Sequence, residues 1–288
     1  MLINYSVMKR YRVLHMDFDV RANLLALEVQ DSWDPRIRER YQQNKEHVRQ
    51  QLRAQYGSQD EEQKARNFLA LGAAPFSVIF FHNAFYRQVR DAFILGAYYP
   101  ALTGVCALGE RVLNHVIHLL REDFQHTPEY KQVYRKDSFG KWDLAIKTLE
   151  NWAVLLPETV NRFRELRDVR NRALHFNPET ERDTRDAALS ALKLFHGIVE
   201  NQFAAFGKTP WYIPNDLGIS FVRKAHENHP FVARVVLPSC AHVGPAHDLQ
   251  RTEHGVWTAV DPAEYPERDV SDEEFIELFK QAQHRAAG

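Results

Sequence analysis

The sequence has few of the features that reveal a function by themselves. Two cysteines, Cys106 and Cys240, occur among 288 residues. They are too few for a disulfide framework, which predicts reduced thiols and a cytoplasmic setting. A glycine-rich phosphate-binding loop is missing, which excludes nucleotide hydrolysis by a P-loop mechanism. Any active or binding site is therefore expected to consist of ordinary polar side chains.

Long hydrophobic runs and a strong net charge are missing as well. No apolar run approaches the length of a membrane span, and the N-terminus lacks the basic and apolar regions of a signal peptide. We therefore expect no membrane partner, no leader and no lipid anchor. The formal net charge is -1, from 37 basic and 38 acidic residues. Nucleic-acid binding, if present, has to rest on a local patch.

The first 74 residues predict a strand followed by two helices. Apolar residues fall at every second position within the range from Tyr11 to Val20, which is the period of a half-buried strand or hairpin. Asp34 and Pro35 predict the start of a helix that runs to Gly57. A shorter helix is expected from Asp60 to Leu71. The alternating residues of the strand are Leu14, Met16, Phe18 and Val20.

From residue 75 to about residue 207 the apolar periodicity becomes helical. A row of phenylalanines and valine at every fourth position, from Phe81 to Phe93, is expected to pack against an apolar face between Leu102 and Leu120. Further helices are expected to begin at Ser138 and Pro157, and another to run from Thr184 to Phe206. This pattern predicts an antiparallel helical bundle. Six aromatic residues are assigned to its core rather than to a base-stacking surface: Phe80, Phe81, Phe85, Tyr86, Trp211 and Tyr212.

Beyond residue 208 prolines interrupt short apolar runs. The runs from Phe231 to Leu237 and from Val256 to Val260 predict a small sheet or hairpin. The segment Ser271-Asp-Glu-Glu274 has the spacing of a capping box and predicts a final helix. We therefore expect a mainly α fold in three parts: an N-terminal strand-plus-helix extension at 1–74, the helical bundle at 75–207 and a small α+β C-terminal module at 208–288.

Side chains suited to phosphate chemistry are concentrated between Asn161 and His175. Five arginines occur in this segment: Arg162, Arg164, Arg167, Arg170 and Arg172. Arginine offers a permanently charged fork that fits phosphate oxygens, and histidine both takes and gives a proton near neutrality. The combination indicates phosphate-ester chemistry. The structural alternative is an arginine paired with Glu165 or Asp168 and a histidine that caps the helix end.

Two of the predicted helices give the region 75–207 a resemblance to a known family. One contains Glu110 midway along an apolar helix, and the other contains Arg170, Asn171 and His175 in the order Arg, polar residue, His with four residues between Arg and His. This region resembles the HEPN superfamily (higher eukaryotes and prokaryotes nucleotide-binding), helical-bundle domains many of whose members cut RNA. The resemblance implies cleavage without metal or cofactor at the cleft of a homodimer. It also suggests a role in stress response or phage defence.

These residues suit an endoribonuclease reaction in which the ribose 2′-OH attacks its own phosphorus. We expect His175 to move protons, Arg170 to hold the phosphate and the developing charge, and Asn171 to orient the histidine or its loop. A polar stripe of residues spaced four apart is expected to line the same cleft, unless it is only a solvated helix face. The stripe consists of Glu110, Asn114 and His118, and the further RNA contacts are assigned to Arg164, Arg167 and Arg172.

Other interpretations of the sequence stay open. The arginine cluster equally fits a non-catalytic module that binds a nucleotide, RNA or a protein, and the bundle alone fits a structural dimerisation domain. Cys240, His242, His247 and His254 have zinc-binding side chains. One cysteine and an irregular spacing fall short of the paired ligands of a convincing zinc site, so we assign no metal.

Overall fold

The computed structural model describes residues 8–136, 141–174, 183–206 and 209–287, and the fold is mainly α. Within these residues, none of the helices combines the length and the apolar character needed to cross a bilayer. The helices are α1 (Arg21–Ala26), α2 (Pro35–Tyr56), α3 (Glu61–Leu71), α4 (Phe80–Ile94), α5 (Tyr98–Leu120), α6 (Tyr130–Val133), α7 (Trp142–Asn151), α8 (Pro157–Leu174), α9 (Thr184–Ile198) and α10 (Asp272–Ala287).

Short strands in the described part of the chain form three antiparallel pairs. The pairs are β1 (Arg10–Val13) with β4 (Cys240–Val243), β2 (Asp17–Asp19) with β3 (Ala74–Ser77), and β5 (Asp248–Arg251) with β6 (Trp257–Val260). The strand or hairpin predicted over residues 11–20 is therefore two strands that pair with distant partners rather than with each other. Phe18 and Val20 of that prediction are exposed. A period of two indicates extended backbone, but it cannot identify the strand that supplies the hydrogen bonds.

Local signals placed several helix ends correctly. The Asp34 side chain accepts a hydrogen bond from the backbone N–H of Arg36 at 2.9 Å, and α2 ends before Gly57, whose φ is 79°. The Ser271 hydroxyl accepts from the N–H of Glu274 at 3.1 Å, as the capping-box spacing predicts. The α-helix predicted to reach Phe206 ends at Ile198 instead. A π-helical turn, Val199–Phe203, follows it directly. Ser138 lies outside the described residues, and α7 begins at Trp142.

Helix α5 is the centre of the bundle and contacts α4, α7, α8 and α9. Its buried residues recur along its whole length, from Ala101 to Leu120. Gly109 allows α7 and α8 to pack closely on α5, because a Cβ at this position would lie 2.7 Å from the side chain of Trp142 and 2.9 Å from that of Leu166. This contact fixes α5 against α7 and α8 one residue before Glu110.

One predicted run beyond residue 208 is a hairpin strand and the other is helical. The pairing of β5 with β6 confirms an extended conformation near Val256 to Val260. The run from Phe231 to Leu237, predicted as part of a sheet, forms the π-helical turn Val232–Val236 instead. A short continuous apolar run does not distinguish a buried strand from a buried helical turn.

Two buried clusters connect the C-terminal part with the rest of the chain. Trp211, Tyr212 and Phe231 belong to the same apolar core as the bundle. A second cluster packs Phe221 and the residues of α10 against Met8 near the N-terminus. The division of the chain at residue 208 stays a prediction.

The phenylalanine row of α4 does not lie in the core throughout its length. Phe81 is 68% exposed and Phe85 is 41% exposed, whereas Phe93 is fully buried. On a helix of 3.6 residues per turn, each step of four residues rotates the side chain by about 40°, so the row turns by about 120° from Phe81 to Phe93. The core assignment of Phe81 and Phe85 is therefore wrong. It is confirmed for Tyr86, Trp211 and Tyr212, while the side chain of Phe80 lies outside the described residues.

Candidate functional site

An open cleft of about 920 Å³ lies between α4, α5 and the last turn of α8, and we call it the arginine–histidine cleft. Helix α4 contributes exposed aromatic rings and one buried histidine. Helix α5 contributes a polar face, and α8 contributes Arg170 and Leu174. Its aromatic, charged, imidazole and amide side chains are Phe81, His82, Phe85, Glu110, Arg111, Asn114, His115, His118 and Arg170.

The structure brings together the polar stripe and the first residue of the proposed motif. Glu110, Asn114 and His118 all line the cleft, as does Arg170 from the neighbouring helix. On α5, positions 110, 114 and 118 share a face because residues four apart lie close to one another on a helix. That face is half-buried rather than fully solvated. The stripe and Arg170 therefore share one concave surface.

Glu110 and Arg170 are joined in a short polar network. The indole N–H of Trp142 donates to Oε2 of Glu110 at 2.9 Å. The same oxygen lies 3.7 Å from Nη2 of Arg170, and Nη1 of Arg170 donates to Oδ1 of Asn171 at 3.3 Å. A guanidinium has five N–H donors in a fixed plane. These contacts orient Arg170 at the cleft but occupy only part of its hydrogen-bonding capacity.

His175 lies outside the described residues. It follows directly after Leu174, the last described residue of α8, whose side chain lines the cleft. Asn171, the third member of the proposed motif, is exposed on the last turn of the same helix. Of the three catalytic residues predicted from the sequence, the structure thus places Arg170 in the cleft and Asn171 beside it.

The other arginines of α8 are directed elsewhere. Nη2 of Arg164 lies 2.6 Å from Oε2 of Glu150. Arg167 pairs with Asp143 and, at 2.8 Å, with Asp168. These ion pairs lie on the side of α8 that faces α7. Arg164 and Arg167 do not line the cleft. Arg172 is exposed on the last turn and likewise does not line the cleft.

The basic residues of the cleft that the sequence analysis did not single out are His82, Arg111 and His115. Nε2 of His82 lies 3.0 Å from Nδ1 of His115. His82 is 5% exposed, and this burial, together with His115 and Arg111, lowers its pKa to about 4. Burial, His118 and Arg111 also lower the pKa of His115. Both imidazoles are therefore neutral at pH 7, so they supply hydrogen bonds rather than positive charge.

A signal for part of this group was present in the sequence. Arg111, His115 and His118 follow one another at intervals of four and three residues on α5, which is the spacing of one helical face. His82 could not be joined to them by any local pattern, because it lies on another helix 33 residues before His115.

The two cysteines do not form a reactive site. Cys106 lines the cleft, but burial raises the pKa of its thiol to about 12 in spite of the nearby Arg170. Burial likewise raises the pKa of Cys240 to about 12, and its thiol donates to the carbonyl oxygen of Val236 at 3.3 Å. A thiol with a raised pKa is a poor nucleophile at neutral pH.

The zinc-type residues of the C-terminal part are also engaged by other groups. Nδ1 of His247 donates to the carbonyl oxygen of Gly244 at 2.6 Å, and its Nε2 accepts from Arg12 at 2.7 Å. The ring of His242 packs against that of Tyr11. Among the described residues, no three His, Cys, Asp or Glu side chains are arranged to hold a metal ion.

A second opening, of about 430 Å³, lies where β2, β3, α2 and α4 meet, and we call it the charged pocket. Arg21 donates to Asp19 at 2.8 Å, and Arg87 donates to Asp17 at 2.7 Å. Burial alone would raise the pKa of Asp19, but the hydrogen bonds from Arg21 outweigh it and lower that pKa. The charged side chains of this pocket therefore neutralise one another within it.

No family model, curated protein or solved structure matches the chain. The resemblance to the HEPN superfamily accordingly rests on the two helices and the Arg170 to His175 spacing, and it stays a prediction.

Proposed function

We propose that this protein is a metal-independent endoribonuclease whose catalytic pair is Arg170 and His175. The observation that carries the proposal is the placement of Arg170 in an open cleft together with Glu110, Asn114 and His118, three residues expected from the sequence to accompany it. Under this proposal the resemblance to HEPN domains extends to their bundle and their reaction. A role in stress response or phage defence belongs to the same proposal.

The proposed reaction is an internal transesterification of RNA. The 2′ oxygen forms a bond to the adjacent phosphorus as it loses its proton, and the bond from phosphorus to the 5′ oxygen breaks as that oxygen gains a proton. His175 handles proton transfer, and Arg170 donates two parallel hydrogen bonds to the phosphate, whose charge increases in the transition state. Asn171 accepts from Arg170 at 3.3 Å and so helps to orient the guanidinium.

Glu110 contributes indirectly under this proposal. Its carboxylate is held by the indole of Trp142 at 2.9 Å and lies 3.7 Å from Arg170. A carboxylate this close keeps the guanidinium in the cleft without the short contact that would saturate it. Glu110 is therefore a positioning residue for Arg170.

The decisive experiment is cleavage of single-stranded RNA by the purified protein in EDTA. We expect products with 2′,3′-cyclic phosphate ends, and no cleavage of DNA or 2′-O-methylated RNA because both lack the attacking hydroxyl. His175→Ala should reduce the rate by roughly 10²- to 10⁴-fold. Arg164→Ala is the matched control, since this arginine lies on the same helix but pairs with Glu150 outside the cleft.

Two results would reject the ribonuclease. One is unchanged cleavage by His175→Ala, and the other is activity that appears only when a divalent metal is added. RNA binding without any cleavage would instead select the non-catalytic binding module.

The proposal includes a two-fold dimer in which two copies of the motif face one another. A self-complementary interface of this kind brings both Arg170 residues to one seam. Sedimentation at micromolar concentration should show a dimer, and a purely monomeric species would contradict this part of the proposal.

A further inference from the structure

Two aromatic rings on α4 form an exposed rim of the arginine–histidine cleft. Phe81 and Phe85 lie on consecutive turns, line the cleft and are 68% and 41% exposed. Large apolar side chains grouped at an opening are a feature of binding surfaces, whereas single exposed ones need no explanation. The rim is therefore a candidate contact surface for a ligand that enters the cleft.

Polar groups of α5 hold both rings in place. The guanidinium of Arg111 lies over the ring of Phe85, with its central carbon 4.8 Å from the ring centroid. The ring of Phe81 meets that of His115 edge to face, with centroids 5.2 Å apart and planes at 84°. Because these contacts restrict the rings, a flat ligand meets a surface that is already oriented.

The chemistry around the rim favours a nucleobase. Every base has a π face that stacks on aromatic rings and on guanidinium planes. Arg111 and Arg170 line the cleft and supply positive charge for the phosphates on either side of a base. A protein surface seated here would instead remove both guanidinium groups from water, which carries a large desolvation cost.

The same geometry discriminates between forms of RNA. In an A-form duplex the bases are stacked within the helix, and proteins contact mainly its phosphates and 2′-hydroxyls. Rings on the rim of a cleft reach a base only when it is unpaired and turned outward. We infer that Phe81, Phe85 and Arg111 form a stacking platform for an unpaired base of an RNA strand that enters the cleft.

This inference rests on the proposed function, but its test does not depend on cleavage. The probe is a fluorescently labelled, 2′-O-methylated single-stranded RNA, which cannot undergo the reaction, and the comparison is its duplex with a complementary strand. Anisotropy titrations should show tighter binding of the single strand. Phe81→Ala should weaken that binding by roughly 5- to 150-fold, the usual contribution of one base stacked on an aromatic ring. Phe81→Tyr should restore it.

Phe18→Ala is the matched control. Phe18 is 49% exposed, packs against the ring of Phe76 and lines the charged pocket instead of the cleft. Its replacement should leave RNA binding unchanged. Thermal melts of both variants check that each is folded, which we expect because Phe81 and Phe18 are largely outside the core.

Three outcomes would overturn the platform: an unchanged single-strand affinity in Phe81→Ala, an equal loss in Phe18→Ala, or an equal loss for the duplex. A variant that becomes monomeric yet binds RNA as before would assign the rim to contact between two copies of the chain. Failure of the ribonuclease proposal is a separate result. In that case Phe81→Ala would weaken RNA binding, but the unaltered protein would not cleave RNA.

Discussion

The two openings of this protein use arginine in opposite ways. In the charged pocket Arg21 and Arg87 lie 2.8 and 2.7 Å from aspartate oxygens. In the arginine–histidine cleft Arg170 lies 3.7 Å from Glu110, and Arg111 packs over an aromatic ring. Short ion pairs stabilise the fold and leave little charge for a ligand. Within the described residues, the looser pair of the cleft occupies fewer donors of Arg170, which is what the proposed phosphate contact requires.

The largest expected difference between the two openings is in catalysis. Arg170→Ala should reduce RNA cleavage by roughly 10²- to 10³-fold, the usual cost of losing a donor that stabilises transition-state charge. Arg87→Ala removes an arginine from the charged pocket and should change the rate by less than about twofold, because that side chain is bound to Asp17. Initial rates in EDTA measure both variants. Equal losses of cleavage rate in the two variants would mean that the cleft is not the catalytic site.

The titrating side chains of the two openings should also lower the free energy of unfolding in different pH ranges. The pKa of His82 in the folded protein is about 4, below its ordinary value of 6.5. Between these values the unfolded chain binds the proton more readily, so the free energy of unfolding should fall as the pH drops from about 6.5 to 4. The contribution is at most about 3 kcal/mol. His82→Gln should reduce the slope of stability against pH in that range.

Asp19 provides the contrast at lower pH. Its pKa lies below the ordinary value of 3.8, so its stabilising effect is present at neutral pH and is lost as the pH falls below about 4. Asp19→Asn should therefore flatten the stability profile below pH 4 and leave the range from 6.5 to 4 unaltered. Urea titrations at a series of pH values measure both variants, and identical profiles would contradict the assignment.

A smaller effect is expected on stability at neutral pH. Arg21→Gln breaks a half-buried ion pair with Asp19 and removes a guanidinium over the ring of Phe68, and should lower the free energy of unfolding by about 1 kcal/mol. Arg111→Gln loses its contact with Phe85 on the open cleft and should cost about 0.5 kcal/mol. A larger cost for Arg111 would show that the cleft is part of the structural framework.

The smallest expected effect is on the salt dependence of RNA binding. Arg111→Gln should lower the slope of log affinity against log salt by about 0.7, because one phosphate contact to a single strand releases that fraction of a counterion. Arg164→Gln should leave the slope nearly unchanged, since Glu150 already neutralises that arginine. Anisotropy titrations at several salt concentrations give both slopes. A larger change of slope in Arg164→Gln than in Arg111→Gln would indicate that RNA contacts the side of α8 that faces α7.

Sequence analysis succeeded where the determining interactions are local. The caps at Asp34 and Ser271 were predictable because each depends on residues two or three positions away. The polar stripe was predictable for the same reason, since all its members lie on α5. The pairing of distant strands was not predictable. β1 and β2 are close in sequence, but β1 pairs with β4 and β2 pairs with β3.

The rest of the site depended on information that periodicity does not contain. His82 and His115 meet across two helices, and no local pattern relates them. The exposure of Phe81 followed from the rotation of its row around α4, because an apolar residue at helical spacing is buried only where another helix covers it. The aromatic rim therefore became visible only in three dimensions.

A substitution at Gly109, which does not line the cleft, should alter the positions of Glu110 and Arg170 within it. A single methyl group at this position would meet Trp142 at 2.7 Å and Leu166 at 2.9 Å, so these side chains or their helices would have to shift. Trp142 holds Glu110, and Leu166 lies one turn before Arg170 on α8. The distance between the carboxylate of Glu110 and the guanidinium of Arg170 therefore depends on the absence of a side chain at Gly109, a residue that does not line the cleft.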